Sequence, residues 1–392
     1  MYKIQTLDRI SALGLDNFPH DYYEIASEIL NPDAILVRSH DMLSMELPST
    51  VKAVARAGAG VNNIPCKDLA EKGVVVFNTP GANANAVKEL VILGLLLASR
   101  PAVAANKWVD SLSGKGAEIP ALAEKGKKNF IGSEVKGKTL GVIGLGAIGA
   151  MVANTAIELG MNVIGYDPFL SVEAAWRINH EVKHAETLDM LFSKSDYITV
   201  HVPETPDTKG FINANTIRSM KNGVRIINIA RGGLINNEDV LQAIASGKIA
   251  CMVTDFAAEE LLNNPKIVCL PHLGASTPEA EDNCAVMAVK ELRDFLETGA
   301  ISNSVNFPKA KIDTAIPAGG TRLCISHKNV PGMIANFTTV LGNAKQNISG
   351  MIDQNRAEIA YALLDVDGKV DSETLSALEE IAGVITVRAI YA

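Results

Sequence analysis

No two of the five cysteines (Cys66, Cys251, Cys269, Cys284 and Cys324) form a Cys-x-x-Cys pair, and the count is odd and scattered. A disulfide framework is therefore excluded, and reduced, mostly buried thiols in a cytosolic protein are expected. Basic charge is in short supply as well. Against 44 Asp and Glu stand 36 Lys and Arg, leaving a net charge of −8. That balance argues against a general nucleic-acid binder and leaves room only for local basic sites that take a small anion. The start, MYKIQTLDRI, has no basic stretch leading into an apolar run, so no signal peptide is expected. The longest apolar stretch, Leu90–Ala98 (LVILGLLLA), falls short of the about 20 residues a bilayer demands and reads as a buried helix. No membrane association is expected.

What is present is ordinary globular material: 392 residues, 47% hydrophobic and 20% charged, enough for two or three domains. AILVRS (34–39), VKAVARAG (51–58) and GVVVFNTP (73–80) read as buried parallel strands, with helices expected at 44–48 and 65–72. A long apolar helix over 83–112, bent at Pro101, follows, and then a Gly- and Lys-rich loop over 113–136. A second α/β series starts at Leu140, with strands at 140–144, 161–166, 196–201, 223–230, 249–254 and 266–270. A helix from Thr277 to Thr298 opens on Ser276-Thr277-Pro278, and 306–320 reads as a linker. The last stretch, 321–392, patterns as βαββαβ, a ferredoxin-like unit.

Gly144, Gly146 and Gly149 of GLGAIG follow an apolar strand and open a helix. The first glycine permits a tight turn, the second lets backbone approach a pyrophosphate, and the third lets helix pack on strand. N–H groups at the helix start, with Ala147 and Ile148, face the phosphate oxygens. The next strand ends in Asp167, where such a motif places an acid on the ribose hydroxyls; that acid favours NAD over NADP. Asp167 can alternatively cap the loop before Pro168.

Active sites of open α/β sheets lie beyond the carboxyl ends of strands. Three such ends carry polar residues: Arg231 in VRIINIARGG, Asp255 ahead of Glu259 and Glu260, and His272 in PHLGAST. A histidine can take an alcohol proton near neutral pH, a carboxylate can orient it, and an arginine can hold a carboxylate and polarise a carbonyl. Alone, each residue has an ordinary structural use; together, behind a dinucleotide turn, they read as base, orienter and anchor.

GLGAIG, NIARGGLI, TDF with its glutamates and PHLGAST together resemble the signature series of the D-2-hydroxyacid dehydrogenase family, in the right order over about 300 residues. The resemblance implies that Arg231 binds substrate carboxylate and carbonyl, and that a glutamate supports His272. Members commonly read D-V-F-x-x-E; here spacing from Asp255 selects Glu260, whereas aligning Phe256 selects Glu259, and Glu260 is taken. It further implies that Asp255, His201, Pro203, Thr208, Ala230 and Gly274 lie beside the cofactor. A second α/β domain built from the N-terminal segment is implied too, with substrate in the cleft between the two. Arg38, Ser39, Arg56, Gly58 and Asn83 are its substrate candidates. Two arginines aimed into one cleft point to a phosphorylated 2-hydroxy acid, although either arginine can instead pair with a local acid such as Asp41.

The terminal unit resembles an ACT domain, a βαββαβ module that binds amino acids. His327, Asn329 and Asn347 match its ligand positions and suit serine as an effector, unless the two asparagines only cap turns. Such modules usually pair, so a homo-oligomer, dimer or tetramer, is expected. The expected fold is two Rossmann-like doubly wound parallel-sheet domains, one inserted in the other, plus the ferredoxin-like module: substrate binding at 1–84 and 275–308, NAD binding at 85–274, a linker at 309–320, ACT at 321–392. No metal site is expected. Two alternatives stay open: another substrate, glycerate or hydroxypyruvate, and a non-catalytic NAD-sensing protein on the same fold.

Overall fold

The computed structural model describes residues 1–392. The chain divides into one unit of Met1–Asn83 with Pro278–Ala392 and a second of Ala84–Thr277.

In the first unit, strands β1 (Tyr2–Thr6), β2 (Tyr23–Ala26), β3 (Ala34–Val37), β4 (Ala53–Arg56) and β5 (Val75–Phe77) form a parallel sheet in the order β2-β1-β3-β4-β5. Residues of β3 to β5 alternate between two cores, as a strand covered on both faces must. Leu36, Ala55 and Phe77 pack with Ala285, Val289, Leu292 and Phe295 of the helix Pro278–Thr298, while Ile35, Val54 and Val76 pack with Met42 and Leu69 on the other side. The helix expected at 44–48 is absent. Pro48 disfavours helical backbone at the residue before it, and Met42 is instead held by the Asn63 carbonyl. β1 and β2 carry too little apolar alternation to stand out in the sequence; only Ile4 of β1 is buried.

The second unit holds β6 (Thr139–Ile143), β7 (Asn162–Tyr166), β8 (Lys183–His184), β9 (Tyr197–Val200), β10 (Val224–Asn228), β11 (Ile249–Thr254) and β12 (Ile267–Cys269), all parallel, in the order β12-β11-β10-β9-β6-β7-β8. Strand order reverses between β6 and β9, the switch point where doubly wound sheets open a crevice. The long apolar helix spans Ala84–Ser99 and breaks at Pro101, after which Ala102–Asp110 forms its own helix. The supposed loop over 113–136 contains the helix Ile119–Gly126, whose end abuts Trp108; Trp108 also packs on Phe130 at 5.4 Å. Its Gly and Lys content hid that contact with Trp108.

β13 (Thr321–Lys328), β14 (Ile348–Arg356), β15 (Ile359–Val366) and β16 (Val384–Tyr391) form an antiparallel sheet in the order β14-β15-β13-β16, the ferredoxin-like arrangement. One face packs Leu323, Ile325 and Leu364 against the helices Met333–Asn343 and Ser372–Glu379. The other face puts Cys324, Tyr361 and Leu363 into the core that Phe77 and Phe295 share. The sequence pattern reads 321–392 as a separate module; in the structure this sheet and the first sheet bury one another. No helix is long and apolar enough to cross a membrane.

Candidate active site

The GLGAIG turn sits at the end of β6, at the switch point. Gly144 has φ 87°, a conformation that an L side chain rarely adopts, and a Cβ there would lie 2.8 Å from the His201 carbonyl oxygen. A Cβ at Gly149 would overlap the Gly144 carbonyl, so the helix Ala147–Glu158 lies on its strand only because the residue is glycine. Gly146 caps that helix without a side chain, and open space surrounds its Cβ position. Free N–H groups facing open space are what a pyrophosphate needs. Asp167, at the end of β7, accepts from Leu145 N (2.8 Å) and Phe169 N (2.9 Å), so it braces both the glycine turn and its own loop.

His201 follows β9 across the switch point. Its Nε2 meets the Thr199 hydroxyl at 2.9 Å, while Nδ1 is shut away from solvent with no partner. Burial holds the ring down to about 4, so it is neutral at physiological pH. An orphaned ring nitrogen, an uncapped helix start and a clear Gly146 together fit a dinucleotide at this turn. The loop after His201 is closed by Thr208, whose hydroxyl donates to the Pro203 carbonyl at 2.6 Å. Glu204 from the same loop accepts from Gly233 N at 3.2 Å and so ties it to the arginine turn.

Arg231 lies exposed just beyond β10, its Nη1 donating back to the Ala230 carbonyl at 2.6 Å. Buried Asn228 shapes that turn: its Nδ2 donates to the Arg231 carbonyl at 2.8 Å and its Oδ1 accepts from Ala230 N. His272 is exposed, adopts φ 58°, and lies 5.1 Å from the Phe256 ring, which also backs Gly232. Left-handed backbone is uncommon at any residue but glycine, although His adopts it more readily than most, and the surroundings must hold it. Asp255 holds it. This fully buried carboxylate accepts from Leu273 N (2.7 Å) and Gly274 N (2.8 Å), and its carbonyl accepts from His272 N. Asp255 thus pins the histidine turn, a use that the expected cofactor contact did not foresee.

The pairing of His272 with Glu260 does not form here. Glu260 accepts from Asn237 Nδ2 at 2.8 Å, a bond that holds its carboxyl below the usual range. The short turn Glu259–Leu261 anchors by burying Leu261, which leaves both glutamates exposed at the surface. Asn228, Glu204, Phe256 and Asn237 were missed in the sequence. Asn228 alone had a signal there, as an amide ending an otherwise apolar strand.

In the first unit, Asp8 Oδ2 accepts from Arg38, Ser39 and His40 N at 2.7, 3.0 and 3.1 Å; against the opposing effect of burial, these bonds lower its pKa. Arg38 does pair with an acid, but not Asp41: its Nη2 meets Glu281 of the Pro278–Thr298 helix at 2.7 Å, and Asp41 caps Leu43 instead. Arg56 donates to the Arg38 carbonyl (2.9 Å) and to the Gly60 carbonyl, folding over Gly58. Asn83 closes this unit's first segment, directly before the helix Ala84–Ser99.

The three candidate regulatory residues are satisfied within their own sheet. His327, buried, has Nδ1 at 2.9 Å from the Lys328 carbonyl and Nε2 at 3.1 Å from Asp353. Asn329 donates to the Ala357 carbonyl in the β14–β15 turn, and Asn347 donates to Asp367 at 2.6 Å. Both asparagines therefore brace turns in this structure.

Residues 94–274 match the model of the D-isomer specific 2-hydroxyacid dehydrogenase NAD binding domain. The chain is 31% identical to a D-3-phosphoglycerate dehydrogenase of Haemophilus influenzae over 98% of this chain and 94% of that protein. It is 36% identical to the enzyme of that name from Synechocystis over 79% of this chain. It spans only a little over half the length of several such relatives, 56% for Synechocystis and 59% for Bacillus subtilis. Among solved structures, an NAD+-bound 3-phosphoglycerate dehydrogenase of Entamoeba histolytica aligns with TM-score 0.60 and 25% identity, covering 78% of this chain and 98% of that one. The glycine turn, its clear helix start and the strand-end Arg231 and His272 agree with these likenesses, and the chain belongs to the D-isomer-specific 2-hydroxyacid dehydrogenase family.

Proposed function

We propose that the chain oxidises 3-phospho-D-glycerate to 3-phosphohydroxypyruvate, the first step of serine biosynthesis, in the cytoplasm. The supporting observation is the near full-length likeness to the Haemophilus influenzae protein of that name, combined with Arg231 and His272 just beyond the carboxyl ends of β10 and β12, the strands on either side of β11. NAD, when bound at the Gly144–Gly149 turn, supplies the acceptor for the hydride from C2. Every other task falls on the chain. A ring nitrogen of His272 takes the hydroxyl proton, and Arg231 leaves the Ala230 carbonyl to fork onto the substrate carboxylate. Glu260 exchanges Asn237 for His272 once substrate orders the turn. Arg38, Ser39, Arg56, Gly58 and Asn83 receive the phosphate end, and Glu281 releases Arg38 to do so. Serine acts as effector at the ACT-like sheet through His327, Asn329 and Asn347, in a homo-oligomer.

A second reading, a glycerate or hydroxypyruvate enzyme, is favoured by one observation: Arg38 already has a carboxylate partner and Arg56 is bonded to backbone carbonyls. NAD reduction assayed with phosphoglycerate, glycerate, lactate and 2-hydroxyglutarate separates the two. Phosphoglycerate should win by at least tenfold in kcat/KM, and Arg38→Ala should erase that preference; a clear win for glycerate rejects the phosphate assignment. His272→Ala should lose nearly all turnover while NAD still binds. Stoichiometric NAD binding with no turnover on any of the four would mark a sensor.

A further inference from the structure

Within the first unit, a cavity of about 370 Å³ opens at the amino ends of β3, β4 and β5, against the helix-free face of the C-terminal sheet. That volume is at the lower end for small-molecule sites, where ligand pockets run about 300–1,000 Å³. Its lining mixes cations and hydroxyls. Lys52, Lys72 and Arg388 face one acid, Asp33, which Lys52 pairs at 2.5 Å and which also accepts from Lys3 N. Arg388 is fixed: it donates to the Leu296 and Phe295 carbonyls at 2.9 and 2.7 Å and stacks 4.5 Å from the Phe295 ring. Ser326 lies opposite Thr386 and Tyr361 in register, so the three share one face of the sheet. Ser326 is only 3% exposed and lines the cavity.

We propose that this cavity is a second binding site, taking a small molecule through a carboxylate or phosphate group held by Lys72 and Arg388 and hydrogen-bonded by Ser326. Its position gives occupancy a consequence. β3 begins after Asp33 and ends before Arg38; β4 begins after Lys52 and ends at Arg56. The cavity and the two candidate substrate arginines therefore lie at opposite ends of the same short strands, about 13–17 Å apart along them. The site also differs from the His327, Asn329 and Asn347 set, none of which lines it.

The test is titration calorimetry on the full chain with inorganic phosphate and, separately, malonate, repeated with Lys72→Glu and Ser326→Val. Lys72 is exposed, so its reversal leaves the core intact. One equivalent of at least one anion should bind, and both variants should weaken it tenfold or more. Phosphate alone binding identifies a phosphoryl ligand, and malonate alone a carboxylate. Binding unchanged in Lys72→Glu would place the anion elsewhere and overturn the proposal, as would no binding of either anion at 10 mM, about the weakest affinity a metabolite site of use would show.

Discussion

Glu291 sits on the Pro278–Thr298 helix with one carboxylate oxygen 2.6 Å from Asn303 Nδ2 and the other buried without a partner. Burial raises its pKa from 4.5 to about 8, so the carboxyl is held neutral in the fold near physiological pH. Because the folded value lies above the unfolded one, the unfolded chain sheds this proton first as pH rises. The stability it contributes is complete below about pH 4.5 and is lost progressively toward pH 8. Glu291→Gln should remove that slope, gaining on the wild type by roughly 1 kcal/mol per pH unit across the window. Urea midpoints taken at pH 5, 6.5 and 8 measure it, and parallel pH profiles for the two proteins would rule out a buried neutral acid.

Between elements, the counterpart is the Arg322–Asp365 pair, directly opposed on β13 and β15. Nε and Nη2 of the arginine meet the two carboxylate oxygens at 2.6 and 2.8 Å, and the remaining donors reach the Thr298 and Thr314 carbonyls. Both side chains are almost fully buried. Asp365→Ala leaves a buried guanidinium uncompensated and should cost about 3–5 kcal/mol, whereas Arg322→Met with Asp365→Leu should recover at least half. Denaturant unfolding of the three proteins decides; a double variant no better than the single would mean the pair itself, not the stranded charge, holds the sheet. At this scale much of the fold was readable beforehand. Strands such as Ile35–Val37 announce double burial by unbroken apolar runs, and the Gly144 turn announces itself by spacing. The partners were not readable. Glu281 reaches Arg38 across more than two hundred residues of chain, and Asn237 claims Glu260 through a turn whose shape depends on burying Leu261. A signal did exist for the docked C-terminal sheet. β15, IAYALLDV, is apolar on both alternations except at Asp365, a pattern that signals a strand covered on both faces rather than one face of a free-standing two-layer module.

For the whole molecule, the shared core means the first sheet is not finished without residues after Thr321. Tyr361 and Leu363 are fully buried against it, each contributing about 1.5–3 kcal/mol of apolar burial. A chain cut before Thr321 should unfold at markedly lower urea and bind a hydrophobic dye such as ANS, while the Ala84–Thr277 unit keeps its own cores. If the cut chain unfolds in the same place as the intact one, the two sheets do not support each other.

The same discontinuity bears on how the chain is made. Ile4, Leu36 and Phe77 leave the ribosome early, yet the helix that covers them, Pro278–Thr298, is translated only after the entire Ala84–Thr277 unit. At about 5–20 residues per second, the roughly 200 intervening residues amount to about 10–40 s. For that interval the Met1–Asn83 segment carries an uncovered apolar sheet face, while the Ala84–Thr277 segment behind it has its own cores. The order of emergence and the order of completion of these two units are therefore reversed.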